Sequence, residues 1–331
     1  MNPALSVIFF TTLSGAGYGM LMCLGVLLVI QYFAGYSSPS WSVAVWATAL
    51  VGASALIAIG LASSMAHLGK PGRAWRAFSQ WRTSWLSREG VMSLSTYVPI
   101  LVLLIPIATT LRKSGSFTAL QRPWLPLTAA ATTVCASITV ICTAMIYASL
   151  STIPAWRHRL VVPGYMAFAL LSGWALVLAL GGSSWHDDAM VRISAAALIA
   201  IASMTILLKV AYWRAIDRQV LPTTRGDAVG LPGREISVFE RPHTEESYIT
   251  REMAFAVARK HARHLRAIAL LLFGGIPVVV AAAAWLAPAA AGIAFAVGAL
   301  SILAGAFVER WLFFAEARHV VTLYYTSATD R

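Results

Sequence analysis

Residues 43–66 read VAVWATALVGASALIAIGLASSMA, a stretch without a single charge, and it decides the fold. A hydrocarbon core about 30 Å thick is crossed by ~20 apolar residues rising 1.5 Å each. Working outward, seven similar runs occupy 7–33, 90–111, 124–147, 162–181, 189–213, 265–287 and 290–314. In lipid a segment must satisfy its own backbone N–H and C=O groups, so these runs are predicted helices. The ~10-residue alternating segments that a β-barrel requires are not visible. The first run reads as a span and not a secretory signal, because no basic residue precedes it and it is too long. The sequence therefore predicts an all-α integral membrane protein. It would be a bundle of eight transmembrane helices with both termini on the same face, forming a single membrane domain over 1–331.

Hydrophobic residues make up 59% of the 331-residue chain and charged residues 11%, against ~25% charged in soluble domains. The net charge of +12 is placed unevenly. Sorted by alternate loops, 21 of the 25 Lys and Arg fall on one face, and only Arg112, Lys113, Arg122 and Arg192 on the other. That is the positive-inside bias, and it puts both termini and the loops 67–89 and 214–264 in the cytoplasm. Topology and attraction to anionic headgroups account for most of the charge, Lys209 and Arg310 included, and a nucleic-acid partner is not expected. Cys23, Cys135 and Cys142 lie inside predicted spans and form no C-x-x-C pair. They read as packing residues.

Within the spans, Gly15 and Gly19 form a small-xxx-small pair that lets another helix of the chain approach closely. Pro99, Pro106 and Pro277 are predicted to kink their helices. Most tryptophans, among them Trp41, Trp46, Trp81, Trp124, Trp156, Trp213 and Trp285, fall at span ends and read as an interfacial aromatic belt. The long basic-face loop 214–264 is broken by Pro222, Gly230, Pro232 and Pro242, then turns helical from Ser247. Its length makes it either a docking surface for a soluble partner or a solvated linker.

The chemistry concentrates at 67–89, HLGKPGRAWRAFSQWRTSWLSRE. Pro71 suits a first helical turn. Trp75, Phe78, Arg82 and Trp85 then recur at three- and four-residue spacing, with Arg73, Arg76 and Gln80 off that stripe. Such a segment would lie in the interface plane as an amphipathic loop. It brings His67 and Glu89 to one membrane face. A lipid-tailed hydroxylated ring loses two electrons and two protons on oxidation, so its oxygens need titratable acceptors. A histidine and a partly desolvated carboxylate suit that task. The residues alone leave a second reading open, in which His67 and Glu89 are helix-end residues, with Glu89 paired to Arg88 or Lys70.

Several blocks then resemble a known family. MNPALSVIFFTT at 1–12 with SGAG at 14–17, HLGKP at 67–71 and AFSQWRTSWLSRE at 77–89 are similar to the membrane-anchor subunit of dimethyl sulfoxide reductase (the DmsC family). PHT at 242–244, TREM at 250–253, ARKHA at 258–262 and ERWLFFAE at 309–316 continue the likeness in order. The resemblance implies an eight-helix anchor in the bacterial inner membrane that oxidises menaquinol or ubiquinol and carries no haem or metal. It also implies two partners, a four-cluster iron–sulfur subunit and, beyond it, a molybdopterin catalytic subunit that holds the terminal-substrate site. His67 and Glu89 match the family's quinol-site histidine and acidic residue. Arg73, Arg88 and Trp85 are assigned to quinol binding less firmly.

Two checks stand apart from that likeness. A b-type haem needs paired histidines within spans, and all seven histidines fall at span ends or in loops. His261 and His264 are three residues apart, but the sequence places no third metal ligand beside them. Two rival functions remain. A structural tether for soluble redox subunits would have the same loops. A secondary transporter would carry ionisable groups at the midplane and resemble itself between halves, whereas here the charges read as lying near the faces.

Overall fold

The computed structural model describes residues 4–34, 41–66, 68–112, 122–181, 187–219, 222–236 and 257–324. Among the described residues there is no strand, and eight helices are long and apolar enough to cross a membrane. The chain is an all-helical bundle. In order come α1 (Leu5–Phe33), α2 (Val43–Met65), a 3₁₀ segment (Pro71–Gln80), α3 (Trp85–Arg112), α4 (Leu125–Ala148), α5 (Val161–Gly181) and α6 (Asp188–Asp217). There follow the short α7 (Arg225–Ala228), α8 (Val257–Leu270), a π-helical turn (Leu271–Gly275), α9 (Ile276–Leu286) and α10 (Ala291–Ala315). The seventh span is built from α8, the π turn and α9 together.

Helix α1 is the hub, packing against α2, α4, α5 and α10. Two of its hydroxyls are satisfied within it: Thr11 donates to the Val7 carbonyl (2.9 Å) and Ser14 to the Phe10 carbonyl (2.6 Å). The expected close approach occurs at Gly19, which meets Gly173 of α5 backbone to backbone; a Cβ at either position would overlap the other helix. Gly15 does not share in it, because a Cβ there meets nothing within 4 Å.

The prolines act as their missing N–H dictates. Pro277 leaves the preceding turn one donor short, and there the helix widens so that the Ile276 N–H bonds to the Leu271 carbonyl. Ser301 of α10 donates to the Leu272 carbonyl (2.6 Å) and holds the widened turn. In α3, Thr109 and Thr110 both donate to the Pro106 carbonyl (2.9 and 2.7 Å).

Several tryptophans depart from the expected belt. Trp41, Trp46, Trp156 and Trp213 are buried. Trp156 stacks on Phe313 and donates to its carbonyl (3.0 Å), which fixes the loop after α4 to the end of α10. Trp81, Trp124 and Trp285 stay exposed, as an interfacial ring requires. The reason is local: these rings lie at helix ends that face neighbouring helices, so packing covers them, and Trp156 also finds a carbonyl for its N–H.

Two stretches read as loop are helical. Helix α3 starts at Trp85, so Arg88 and Glu89 lie in its first turns. Helix α6 runs on to Asp217, where Arg266 of α8 grips both Asp217 oxygens (2.7 and 2.8 Å) and one of Glu316 (2.8 Å). The ends of α6, α8 and α10 are thereby tied together. Beyond it, Thr224 and Asp227 cap α7 reciprocally, and Gly230 and Gly233 turn the chain at positive φ. The backbone and hydroxyl bonds from Thr224 hold the Asp227 carboxyl below the usual carboxylate range. The helical pattern predicted from Ser247 lies outside the described residues as far as 256, and from Val257 it is helical as α8.

Candidate functional site

Glu89 sits about 6 Å into α3, one turn past Trp85, and is 5% exposed. Neither Arg88 nor Lys70 pairs with it among the described residues. Its partner is neutral: Thr143 of α4 donates to Oε1 at 2.8 Å. The same hydroxyl lies 3.1 Å from the Thr139 carbonyl. A hydroxyl has one proton and two lone pairs, so this arrangement serves both states of the carboxyl. When Glu89 is ionised, Thr143 donates to it. When Glu89 carries a proton, Glu89 donates to Thr143, and Thr143 turns its own proton to Thr139. Glu89 keeps its partner in either state.

The 3₁₀ segment lies over the start of α3 and revises the expected stripe. With three residues per turn, positions i and i+3 eclipse. Trp75, Phe78 and Trp81 therefore form one ridge and Arg73, Arg76 and Arg82 another, while the predicted α-spaced set with Arg82 and Trp85 does not form. Trp75 and Trp81 are exposed, and Phe78 leans on Gly90, where an added Cβ would come within 2.9 Å of its ring. Arg88 fastens the end of the segment. Its guanidinium donates to the Trp81 and Arg82 carbonyls (3.1 and 2.6 Å) and lies 4.3 Å over the Trp85 ring. Of the residues named from sequence, Glu89, Arg88 and Trp85 are thus brought together at the start of α3. Arg73 is exposed on the far part of the segment, and His67 lies outside the described residues.

A second group lies apart from the expected site. Lys209 of α6 and Glu309 and Arg310 of α10 are 5%, 0% and 4% exposed. They lie roughly 12 and 9 Å inside their helix ends. Glu309 is held between the Lys209 ammonium and the Arg310 guanidinium, which donates to it at 2.6 Å. Rings enclose both cations: Tyr165 lies 4.0 Å from the Arg310 guanidinium and Tyr212 lies 4.2 Å from the Lys209 nitrogen. Lys209 and Arg310 therefore do not face headgroups, and the premise that charge stays near the faces fails here. The signal was present in the sequence, since Lys209 and Glu309–Arg310 interrupt otherwise apolar runs.

A family model described as the DMSO reductase anchor subunit (DmsC) matches residues 1–315. The chain belongs to that family. It is also 32% identical over 348 residues to a sulfite dehydrogenase subunit of Allochromatium vinosum, with 99% of each chain covered. As an anchor of the DMSO reductase type, it is a multi-pass membrane subunit of a redox complex. Membership implies association with catalytic and electron-transfer subunits. The blocks around Glu89 and Glu309–Arg310 both fall within the matched residues.

Proposed function

We propose that this anchor binds a quinol from the bilayer beside Glu89 and His67 and oxidises it. Its electrons pass to an iron–sulfur subunit that feeds a molybdopterin catalytic subunit. The observation that carries this reading is the Glu89–Thr143–Thr139 arrangement, which keeps a buried carboxyl satisfied with or without a proton. A residue that only tied helices together would need one state. A general base needs two. The exposed ridge of Trp75, Phe78 and Trp81 above it offers an apolar surface to a lipid-tailed ring. Arg73, Trp85 and Arg88 frame the approach, and Arg88 acts chiefly by holding the segment in place. The chain itself contributes no redox group to this scheme, so the quinol must sit within electron-transfer reach of the partner's cluster. The partner therefore docks on the basic face, which the charge bias puts in the cytoplasm together with both termini.

A second direction has a specific observation behind it. The relative is named a dehydrogenase, and an anchor serving an oxidised substrate would receive electrons and reduce a quinone. The protonation chemistry at Glu89 is reversible, so one site serves either direction, set by the catalytic partner.

Membranes carrying the assembled complex, as wild type, His67→Ala and Glu89→Gln, are titrated with a fluorescent quinol analogue. Saturable binding in the wild type, lost in His67→Ala and with turnover lost in Glu89→Gln, is expected. Undiminished binding and turnover in both variants would leave the chain a tether. An impermeant thiol reagent applied from outside should mark a cysteine at Ser116 and spare one at Ser237; the reverse would invert the orientation.

A further inference from the structure

Between α1, α4, α5 and α10 lies a cavity of about 20 Å³ whose wall is rich in hydroxyls, with Thr12, Tyr18, Thr143, Tyr165 and Ser172 among them and Arg310 beside them. Thr12 Oγ1 and Arg310 Nη1 are buried and have no hydrogen-bond partner among the described residues. The space is about large enough for one water, to which the orphaned Thr12 hydroxyl and Arg310 N–H offer partners. A second cavity of about 10 Å³ shares Tyr165 and Arg310 with the first and reaches Lys209 and Tyr212. At the other end, the first cavity touches Thr143, the donor to Glu89. Tyr18 faces Ser93, one turn beyond Glu89. The two groups described above, far apart in sequence, are thus joined by two small polar spaces.

We infer that each of these cavities takes up a water, and that these waters, with the hydroxyls beside them, carry protons from Glu89 to the Lys209–Glu309–Arg310 cluster and on to the basic face. The inference rests on the proposed role of Glu89. The quinol loses two electrons to the iron–sulfur partner and two protons, one at a time, to the Glu89 carboxylate. Each O–H bond broken on the ring becomes one on Glu89, then one on a cavity water, and nothing on the path is oxidised. Arg310 stays charged and orients the waters, while hydroxyls and waters move the proton. The outlet lies beyond Tyr212, whose ring is 5.7 Å from that of His158 in the loop after α4. On the side of the 3₁₀ segment, Phe78 leans on Gly90 and the Arg88 fork holds the segment to α3.

Gly15 borders the first cavity and has room for a side chain, so Gly15→Val would displace water without moving a helix. Radiolytic hydroxyl footprinting of the assembled complex reads hydration directly, because ordered water carries the label to buried rings. Tyr18 and Tyr165, 1% and 6% exposed, should be marked in the wild type and much less so in Gly15→Val. Quinol-analogue binding should be unchanged in that variant, while turnover falls on the order of a hundredfold, the low end of a proton-transfer effect. The isosteric Thr12→Val should act in the same direction and decides the matter if Gly15→Val assembles poorly. Unmarked tyrosines in the wild type would overturn the water chain, and full turnover with the label lost would overturn the route. Full quinol turnover in Glu89→Gln would instead remove the reading of the site, and this inference with it.

Discussion

Glu89 and Glu309 are both carboxyl groups buried within the bundle, and they are held in opposite ways. Glu309 lies between two cations and is fixed as an anion. Among the described residues Glu89 has a neutral partner that can give or receive a hydrogen bond. An intramembrane charge is costly unless paired, and pairing it fully makes it a structural element. Leaving it with an adaptable hydroxyl makes it a group that can change its charge. The difference separates a carboxylate that holds helices from one that moves protons.

Glu309→Gln tests that contrast most severely. It strands Lys209 and Arg310 as uncompensated buried cations, a loss of about 3–5 kcal/mol for a broken buried pair. A large fall in thermal stability in detergent, with poor complex assembly, is the expected outcome. Glu89→Gln should behave in reverse. The amide can still accept from Thr143, so stability should change by less than about 1 kcal/mol, while quinol turnover falls on the order of a hundredfold. Equal stability losses in the two variants would erase the distinction. Thr143→Val sharpens it: the Glu89 carboxyl loses the hydroxyl that donates to it, and turnover should fall with a shifted pH profile while assembly holds. Arg88→Lys replaces a fork that reaches two carbonyls with a point charge. Faster amide exchange at the end of the 3₁₀ segment and weaker quinol binding should follow, at a cost of about 1–2 kcal/mol.

The smallest effect concerns the loop that borders the fixed cluster. His158 Nδ1 accepts the Leu160 N–H (3.2 Å) and His319 Nδ1 the Val321 N–H (3.1 Å). Burial holds both below the usual histidine range, with Arg159 adding to it at His158. Depressed values mean that their contribution is present above about pH 6.5, the unfolded value, and is lost as pH falls through the folded one. Amide exchange of Leu160 and Val321 should therefore quicken on mild acidification, and Glu89 should not matter to it.

Much of the fold was legible because lipid imposes one rule on every span, and the apolar runs obey it. The 3₁₀ geometry was hidden by a spacing that fits both periods: Trp75 and Phe78 are three apart in either reading, and only Trp81 against Arg82 separates them. Glu89 stood out through its motif, whereas Thr143 is one of many hydroxyls in an apolar helix and carries no sequence mark. Lys209 and Arg310 were misread because a count by loops assigns every basic residue to a face. A cation near a helix end looks interfacial until its carboxylate partner on another helix is known.

The central place of α1 has a consequence for how the protein is made. It leaves the ribosome first, yet α10 begins about 260 residues later, on the order of ten to fifty seconds at typical synthesis rates. For the first part of that interval the hub waits in the bilayer without α4 and α5, and for all of it without α10. Thr11 and Ser14 meet the wait by bonding to their own helix, so two of its polar side chains need no partner to cross into lipid. The helix on which α2, α4, α5 and α10 gather is partly prepared before any of them exists.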